Sequence, residues 1–374
     1  MKVPNRFHPS STLACLFAAA ALSAPFGSEI AVAEGPEPHA VSVSVFATGL
    51  NNPRGLKFGP DGNLYLAEGG LGGSMMTTPA DCVQVPEVGP YSGGFTSRIS
   101  RFSPAGVRTT VADNLPSSQT TPQSGSLVSG VADVAFVGDQ LFAILAGAGC
   151  SHGLLGTVNA VLRVNGDGTT TQVADLSDFQ KTHPVANPNP GDFEPDGTWY
   201  SMVVVHGELY AVEPNHGEVD RISPETGAIH RVVDISATQG HIVPTAMAYH
   251  GNFFVGNLST FPIVPGSAKI LKITPSGEIK VWATGFTTVL GLAFDESGRL
   301  YVLESMTAPG FPGPSEFGTG RVVRIDHSGA VDTIYSGLTF PTAMTFGPGG
   351  ALYVSNIGFG PPGAGQILKI VFED

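Results

Sequence analysis

The sequence predicts an all-β fold, a six-bladed β-propeller of four-stranded antiparallel blades that is closed by an N-terminal strand. Three observations support this prediction: a unit that recurs six times, four strand-like stretches per unit, and a last unit that lacks its fourth strand. Each unit opens with an apolar stretch, a short polar turn and a second apolar stretch carrying Tyr or Phe. Repeats of about 40 to 50 residues built from short strands are typical of propellers.

The first two strands of each unit are the clearest part of the repeat. They are predicted at 53–58 with 64–66, 134–136 with 141–143, 202–205 with 209–211, 244–247 with 253–255, 290–294 with 300–302, and 341–344 with 352–354. The third and fourth strands are predicted at 98–102 with 108–111, 160–164 with 171–173, 218–222 with 230–233, 269–273 with 279–282, and 321–325 with 331–334. Turn residues such as Asp-Gly and Pro-Ser-Gly separate these stretches.

The sixth unit ends soon after its third strand, at 366–371. Residues 43–50 resemble 281–286 and precede a blade in the same way, so they are predicted to supply the missing outer strand. Pairing the two ends of the chain in one blade would close the ring and remove two open sheet edges.

Blades 1 to 3 are longer than the later blades and must carry insertions. These are predicted as loops at 69–94, 116–129, 147–157 and 180–196, because they are rich in Gly, Pro, Ser and Asn. Long loops on a rigid scaffold are favoured positions for a ligand site.

The N-terminal segment has the features of an export signal. Lys2 and Arg6 precede an apolar core at 13–22, and Ala31-Val32-Ala33 matches the small-x-small pattern of a cleavage site. We therefore expect a signal peptide over 1–33, a linker over 34–42, a single propeller domain over 43–374, and a secreted or periplasmic location.

Composition narrows the classes of partner. The chain has a formal net charge of −13 and no basic run, which argues against nucleic acid and anionic membranes. No second apolar stretch reaches the length of a membrane span. We expect a monomer that binds a small molecule or a protein.

Two cysteines, Cys82 and Cys150, lie outside the predicted signal. Each follows the second strand of its blade, in blades 1 and 2, so both are expected on one face of the ring. An oxidising compartment favours a disulfide between them, although two free thiols or a shared metal site remain alternatives.

Some segments resemble a known family. The stretch 243–268, with Phe-Pro-x-x-Pro-Gly-Ser-Ala at 261–268, and the stretches 282–288 and 300–304 resemble the ScyD/ScyE family of exported bacterial propellers. Residues 49–56 and 63–68 are similar to its first blade, and the likeness extends over about 43–373. The resemblance implies an exported propeller and carries no reaction or catalytic residue onto this chain.

Polar residues end the second strand of most blades. The six positions are Glu68, Ala146, Glu213, Asn257, Glu304 and Asn356. Three carboxylates and two amides at equivalent depths could form an oxygen site for calcium or another ligand, or a catalytic group. Alternatively, each side chain satisfies backbone groups where its strand ends.

Lactonase-like propellers hold calcium at the starts of their innermost strands, which offers a second test. Here those positions are Arg54, Ala132, Tyr200, Thr245, Leu290 and Thr342, with Asp133 one step later. Because none of the six is a carboxylate, a lactonase site is disfavoured. Arg54 and Tyr200 remain candidates for binding a small ligand. His152 and His216, in or near loops that follow second strands, are further candidates.

The segment 149–153 matches the Gly-x-Ser-x-Gly string of serine hydrolases, with Ser151 as nucleophile. It follows a propeller strand with no amphipathic helix after it, so a glycine-rich loop holding a cystine is the alternative. No catalytic residue is therefore assigned. The sequence favours a binding protein, with a calcium-dependent hydrolase or lactonase and then a quinone-dependent sugar oxidoreductase as rivals.

Overall fold

The computed structural model describes residues 30–31, 41–86, 88–120, 127–326 and 329–372 of the 374-residue chain. These residues form a six-bladed β-propeller, as the repeat predicts. The predicted leader and linker lie almost entirely outside the described residues. Within the described residues no helix is both long and apolar enough to cross a membrane.

Each blade contains four main antiparallel strands, and blades 1 and 4 carry additional short strands. The strands of the first three blades are β3 (Pro53–Phe58), β4 (Leu64–Glu68), β5 (Met75–Met76), β6 (Ser92–Phe102), β7 (Arg108–Gln119), β8 (Val128–Ser129), β9 (Val131–Val137), β10 (Gln140–Leu145), β11 (Ala160–Val164), β12 (Thr170–Asp175), β13 (Ser201–Val205), β14 (Glu208–Glu213), β15 (Glu218–Ile222) and β16 (Ile229–Asp234).

Blades 4 to 6 use the remaining strands. These are β17 (Pro244–Tyr249), β18 (Phe253–Asn257), β19 (Ala268–Ile273), β20 (Ile279–Phe286), β21 (Val289–Phe294), β22 (Leu300–Glu304), β23 (Gly320–Ile325), β24 (Val331–Leu338), β25 (Ala343–Phe346), β26 (Leu352–Asn356), β27 (Gly365–Phe372) and β2 (Val41–Leu50). The short β1 (Ile30–Ala31) pairs parallel to β20 at the outer edge of blade 4. Two short helices, α1 (Leu176–Thr182) and α2 (Ser236–Gln239), connect blades 2 to 3 and 3 to 4.

The predicted closure is confirmed. Strand β2 pairs antiparallel with β27, from Val41 opposite Phe372 to Leu50 opposite Gly365. The six innermost strands, β3, β9, β13, β17, β21 and β25, contact one another in a closed ring. The first and last parts of the chain therefore complete one blade.

Apolar clusters fill the interfaces between adjacent blades. Second strands such as β10 and β22 are buried along most of their length because neighbouring blades cover both faces. This explains why they appear in the sequence as continuous apolar runs instead of alternating patterns. The outer strands, such as β16, are less buried, and most positions of β16 are only partly covered.

The aromatic residue that marks the repeat has a packing role. Tyr65 of β4 meets Phe136 of the next blade edge-on, with ring centroids 4.9 Å apart. Tyr301 meets Phe346 in the same way at 4.9 Å. Such edge-to-face pairs contribute about 0.5–1.5 kcal/mol beyond buried area, so the marker links each of these blades to its neighbour.

The predicted insertions are only partly loops. The segment 116–129 begins inside the long strand β7 and ends in β8, and the segment 69–94 contains β5 and the start of β6. The segment 180–196 contains the end of α1. Hydrogen bonding between the insertions extends the sheet of blade 1 beyond the ring, which composition alone does not reveal.

Candidate functional site

The upper face of the propeller is the face where the innermost strands begin and the second strands end. All four insertions of blades 1 to 3 lie on this face, as do the loops 258–267, 305–319 and 357–364 of blades 4 to 6. The mouth of the central channel opens between these two sets of loops. The candidate ligand residues predicted from sequence all lie on or beneath this face.

The polar residues that end the second strands are buried and hydrogen-bonded to backbone. In four blades, the side-chain oxygen accepts a backbone N–H from the segment that enters the innermost strand of the same blade. These bonds join Glu68 to Asn51 at 2.9 Å, Glu213 to Thr198 at 2.9 Å, Glu304 to Thr287 at 2.6 Å and Asn356 to Thr339 at 2.9 Å. Asn257 instead donates to the Ile242 carbonyl at 2.8 Å and accepts from the Lys269 N–H at 2.7 Å.

The second oxygen of each glutamate is also engaged. Glu68 contacts Ser100 and Arg108, and Glu304 contacts the Arg321 Nε at 2.6 Å. Glu213 accepts from the His216 backbone at 2.6 Å. These are the contacts that the capping interpretation predicts. Among the described residues, no three His, Cys, Asp or Glu side chains are placed to hold a metal ion together.

The middle of the channel is narrow. Its cavity has a volume of about 20 Å³ and is lined by residues that include Lys57, Asp133, Ser201, Met247 and Met344. That volume holds about one water molecule, so this section of the channel has no room for an organic ligand.

Asp133 is the acidic group of this section. Its two oxygens accept the backbone N–H groups of Val134 and Met202, each at 2.8 Å. Burial raises the pKa of Asp133, against the opposing effect of Lys57 and these N–H groups. With its oxygens committed to backbone of two blades, Asp133 joins blades 2 and 3.

Arg54 lies at the mouth of the channel and is partly buried. Its guanidinium donates to the carbonyl of Gly358 in blade 6, to Val128 at the entry to blade 2 at 2.5 Å, and weakly to Pro53 at 3.5 Å. Burial lowers the pKa of Arg54, and the nearby Tyr200 phenol opposes this shift. No described carboxylate forms an ion pair with this guanidinium.

Tyr200 lies near Arg54 at the same mouth. Its hydroxyl donates to the Thr342 carbonyl of blade 6 at 3.0 Å. Burial raises the pKa of Tyr200 to about 12, although the charge of Arg54 opposes this shift. The phenol therefore stays protonated at neutral pH, and its oxygen keeps a lone pair as an acceptor.

Backbone strain is concentrated around the mouth. Asn52, Val243 and Phe340 have φ of 52°, 58° and 43° and stand directly before prolines that lead into innermost strands. Ser259 and Ile357, with φ of 72° and 55°, follow second strands. Positive φ is unfavourable for branched and bulky residues, and strained residues of this kind cluster at functional sites.

The predicted disulfide is confirmed. Cys82 and Cys150 are bonded, with their α-carbons 6.2 Å apart, and they join the upper loops of blades 1 and 2. The bond holds the insertion 69–91 against the loop that follows β10. Next to it, Thr77 donates to the Cys150 carbonyl at 2.5 Å.

A polar nest of Tyr91, Ser118, His152 and Glu194 lies beneath these loops. His152 is fully buried, and its Nδ1 is 2.8 Å from the Ser118 hydroxyl. Tyr91 donates to Glu194 at 2.7 Å. The His152 Nε2 and Glu194 Oε2 face each other at 3.7 Å, and neither has a hydrogen-bond partner among the described residues.

Burial disfavours charge on both titratable groups of the nest that face each other, His152 and Glu194. Burial lowers the pKa of His152 to about 4 and raises the pKa of Glu194 well above its ordinary value. At neutral pH the imidazole is therefore neutral. Because Ser118 and His152 are completely enclosed, this serine–histidine pair cannot meet a substrate in this arrangement.

Ser151 does not have the surroundings of a nucleophile. It is fully buried, and both its hydroxyl and its backbone N–H donate to Asp196, at 2.6 and 2.8 Å. Asp196 also pairs with Lys181 at 2.6 Å. The residues of the Gly-x-Ser-x-Gly match thus form a loop that is anchored by a carboxylate. This corresponds to the alternative interpretation and not to a serine hydrolase.

His216 is also enclosed. Its Nδ1 is 3.4 Å from Glu213, and it contacts the Gln180 side chain. Although burial favours the neutral imidazole, the charge of Glu213 outweighs it and raises the pKa of His216. His216 in turn holds the pKa of Glu213 below its ordinary range against the effect of burial.

Sequence reasoning missed two groups on the upper face: the buried acidic residues Glu194 and Asp196, and a set of phenylalanines in the loops of blades 4 to 6. The phenylalanines are Phe261, Phe311, Phe317, Phe340 and Phe359. Their signal was present as repeated Phe in the loops after three successive second strands. The acidic residues gave no local signal, because their partners come from distant insertions.

Comparisons with known proteins support the fold. A protein of unknown function from Bacteroides thetaiotaomicron matches with a TM-score of 0.56 and 14% identity, over 90% of this chain and 76% of that one. The soluble aldose sugar dehydrogenase from Escherichia coli matches with a TM-score of 0.52 and 15% identity, over 89% of this chain and 100% of that one.

A gluconolactonase from Xanthomonas campestris matches with a TM-score of 0.51 and 12% identity, over 94% of this chain and 99% of its own. No model of a known protein family matches the chain, and no curated protein sequence does. Identities this low show a shared fold and do not transfer an activity.

Proposed function

We propose that this chain is an exported binding protein of the ScyD/ScyE type, which recognises an anionic ligand at the channel mouth. The observation that carries the proposal is the Arg54 guanidinium, which stands at the mouth with backbone carbonyls as its partners. The Cys82–Cys150 disulfide fits a location outside the cytoplasm, where such bonds persist.

The hydrogen-bonding capacity of Arg54 exceeds what the protein uses. A guanidinium has five N–H donors, and Arg54 makes three hydrogen bonds to described residues, one of them weak. At least two donors remain for a ligand. Carboxylates and phosphates match the planar fork of donors of an arginine.

The charge of Arg54 also favours an anionic ligand. Removing a cation from water without a counter-charge is unfavourable, and burial lowers the pKa of this guanidinium. An arriving anion would supply the missing counter-charge. We therefore expect this guanidinium to select the anionic end of a ligand.

Tyr200 would complete the polar part of the site. Its hydroxyl is fixed on the Thr342 carbonyl, so its position does not depend on the ligand. The phenol oxygen can accept one hydrogen bond from the ligand while the guanidinium binds the anionic group. Fixed polar groups of this kind orient a ligand at low entropic cost.

The experiment compares bound material in two variants. The protein is purified from its own cells and examined by native mass spectrometry, as the parent and as Arg54→Gln and Arg163→Gln. Arg163 is an exposed arginine on β11 and serves as the matched control. We expect an anionic molecule to accompany the parent and Arg163→Gln, and to be absent from Arg54→Gln.

Acetate provides a second readout that does not depend on a co-purified molecule. At constant ionic strength, acetate should raise the melting temperature of the parent and of Arg163→Gln, because a ligand that binds the folded state stabilises it. Arg54→Gln should show no acetate response. An equal response in all three proteins would overturn the proposal.

A calcium-dependent hydrolase or lactonase is the rival function. Calcium would have to use carboxylates such as Glu68, Glu213 and Glu304, whose oxygens already accept backbone N–H groups and contact arginine, serine or histidine. The described residues therefore fit this ion poorly. Stoichiometric calcium in the purified protein, with a lactonase activity that is lost on chelation, would favour the rival.

A further inference from the structure

A shelf of phenylalanines lies beside Arg54 on the upper face of blades 4 to 6. We define the phenylalanine shelf as Phe261, Phe311, Phe317, Phe340 and Phe359, resting on Ile263 and Met306. Phe261, Phe311 and Phe317 are 39%, 64% and 57% exposed, whereas Phe340, Ile263 and Met306 are buried at 2–3%. Exposed rings on a buried apolar base form a stable surface, and such patches mark binding sites.

The shelf is continuous with the guanidinium. Arg54 donates to the Gly358 carbonyl, and the Gly358 N–H donates to the Phe340 carbonyl at 3.0 Å. Phe359 is the next residue along the chain. Its ring packs on Phe340 with centroids 5.4 Å apart, and the exposed Phe317 packs on Phe340 at 5.6 Å. A series of contacts therefore connects the Arg54 guanidinium with the exposed ring of Phe317.

The loops that carry the shelf are fixed to one another. Ile263 and Gly310 exchange two backbone hydrogen bonds, at 2.7 and 2.9 Å, which join the loops of blades 4 and 5. Phe261 and Phe311 stack near this bridge with centroids 5.8 Å apart. Gly318 of the blade 5 loop and Ile357 of the blade 6 loop both donate to Thr339, at 3.1 and 2.8 Å, which joins these two loops. The surface is thus organised before a ligand arrives.

Charge selects between the possible occupants of this surface. A nucleic acid or an anionic membrane would require several cations, whereas the site has one unpaired guanidinium and the chain has a formal net charge of −13. A neutral apolar ligand would leave Arg54 without a counter-charge. A molecule with one anionic group and an apolar body satisfies both parts of the surface.

We infer that the ligand is a small amphipathic acid, whose carboxylate binds Arg54 and whose apolar body lies across Phe359 and Phe317. This inference rests on the proposed function, since it specifies the ligand class of the same site. The apolar part of the molecule would contribute affinity through the surface it removes from water. The carboxylate would set its orientation.

The test uses octanoate as the probe, with acetate lacking the apolar body and 1-octanol lacking the charge. Binding is measured by isothermal titration calorimetry to the full mature protein. We expect octanoate to bind at least about tenfold more tightly than either comparison molecule, a difference that corresponds to about 1.4 kcal/mol.

Matched variants separate the two halves of the site. Phe317→Ser should weaken octanoate binding several-fold without changing acetate binding, whereas Phe95→Ser, which alters a phenylalanine that is 46% exposed in blade 1, should change neither. Arg54→Gln should reduce octanoate to the level of octanol. If Arg54→Gln fails to fold, Arg54→Lys keeps the charge but loses the fork of donors, and should weaken octanoate and acetate equally.

The outcomes distinguish this inference from the proposed function. If acetate binds as tightly as octanoate, and its binding depends on Arg54, then the inference of an amphipathic ligand is wrong and the anion site still stands. Octanoate binding that is insensitive to Phe317→Ser would do the same. If neither anion binds in a manner that depends on Arg54, both the inference and the proposed function are wrong.

Discussion

The two halves of the upper face use the same scaffold in opposite ways. Over blades 1 to 3, long insertions enclose polar side chains such as Tyr91, His152 and Glu194 and are joined by a disulfide. Over blades 4 to 6, the loops leave Phe311 and Phe317 more than half exposed. The first half is sealed, and the second is open beside Arg54.

The difference does not follow from loop length, because the loop 305–319 of blade 5 is at least as long as the insertions 116–129 and 147–157. The insertions of blades 1 to 3 instead pack on one another and bury polar side chains, as Ser151 and Asp196 of two different insertions do. The loops of blades 4 to 6 leave apolar side chains uncovered, so Phe311 and Phe317 stay at the surface. The insertions of blades 1 to 3 were the expected ligand region from sequence, whereas we propose the half formed by blades 4 to 6.

The largest expected effect on stability follows from removing β2, the strand that closes the ring in the open half. A chain that begins at Asn51 lacks β2, which exposes the edge of β27 and uncovers the interface around Leu50 and Tyr353. We expect a loss of several kcal/mol, a large share of the usual 5–15 kcal/mol of a domain. Circular dichroism melting compares this truncation with a chain beginning at Val41. Equal melting temperatures would show that β2 does not hold the ring closed.

The second largest effect on stability is expected from removing the disulfide of the sealed half. Replacing Cys82 and Cys150 together by Ser removes a cross-link between positions 68 residues apart. The chain-entropy model gives a loss of about 4 kcal/mol in the free energy of unfolding. Chemical denaturation measures this loss, and limited proteolysis should find new cuts within 69–91. Octanoate affinity should remain unchanged, because the phenylalanine shelf lies in the other half.

If the double variant instead lost octanoate binding while its fold persisted, the two halves would not be independent. The distinction between a sealed half and an open half would then have to be abandoned. Adding a reducing agent to the parent provides a control, since it should reproduce the stability of the serine variant.

The smallest effect concerns two carboxylates buried in blade 3, Glu218 and Asp220. Burial and then the neighbouring Glu218 raise the pKa of Asp220, and burial raises the pKa of Glu218 to about 7. The folded state therefore keeps a proton that the unfolded chain releases. Stability is present at low pH and is lost as the pH rises from about 4.5 towards 7.

Asp220→Asn should remove part of this pH dependence. The amide oxygen can still accept from the Trp199 indole, which donates to Asp220 at 3.2 Å. We expect the variant to be more stable than the parent at pH 8 by about 1–3 kcal/mol, with a much smaller difference at pH 4, close to the pKa of an unfolded aspartate. Urea denaturation at the two pH values measures this, with the exposed Asp139→Asn as control. A variant that is less stable at pH 8 would contradict the assigned protonation.

Much of the fold follows from local sequence. The period of the repeat, the aromatic marker of each second strand and the likeness between 43–50 and 281–286 predict six blades and their closure. The disulfide also followed, because blade symmetry places Cys82 and Cys150 on one face. These features depend on patterns that each repeat carries within itself.

The candidate site was predictable only in part. Arg54 and Tyr200 were predicted as ligand candidates because strand starts mark the channel mouth, and that role stays a prediction. Glu68, Glu213 and Glu304 were candidates too, as residues whose function depended on their partners. Their hydrogen bonds lie within a single blade, yet a sequence does not show whether an oxygen is occupied by a backbone N–H or free for a ligand.

The sequence by itself determined the architecture of this protein, since strand periodicity and repeat length are local properties of the chain. The tertiary structure alone decided which polar groups are satisfied and which remain available. The bond from Arg54 to Gly358 spans 304 residues, and the one from Tyr200 to Thr342 spans 142. Closing the ring brings these groups together, so the unpaired donors of Arg54 and the aromatic surface beside them exist only in the folded propeller.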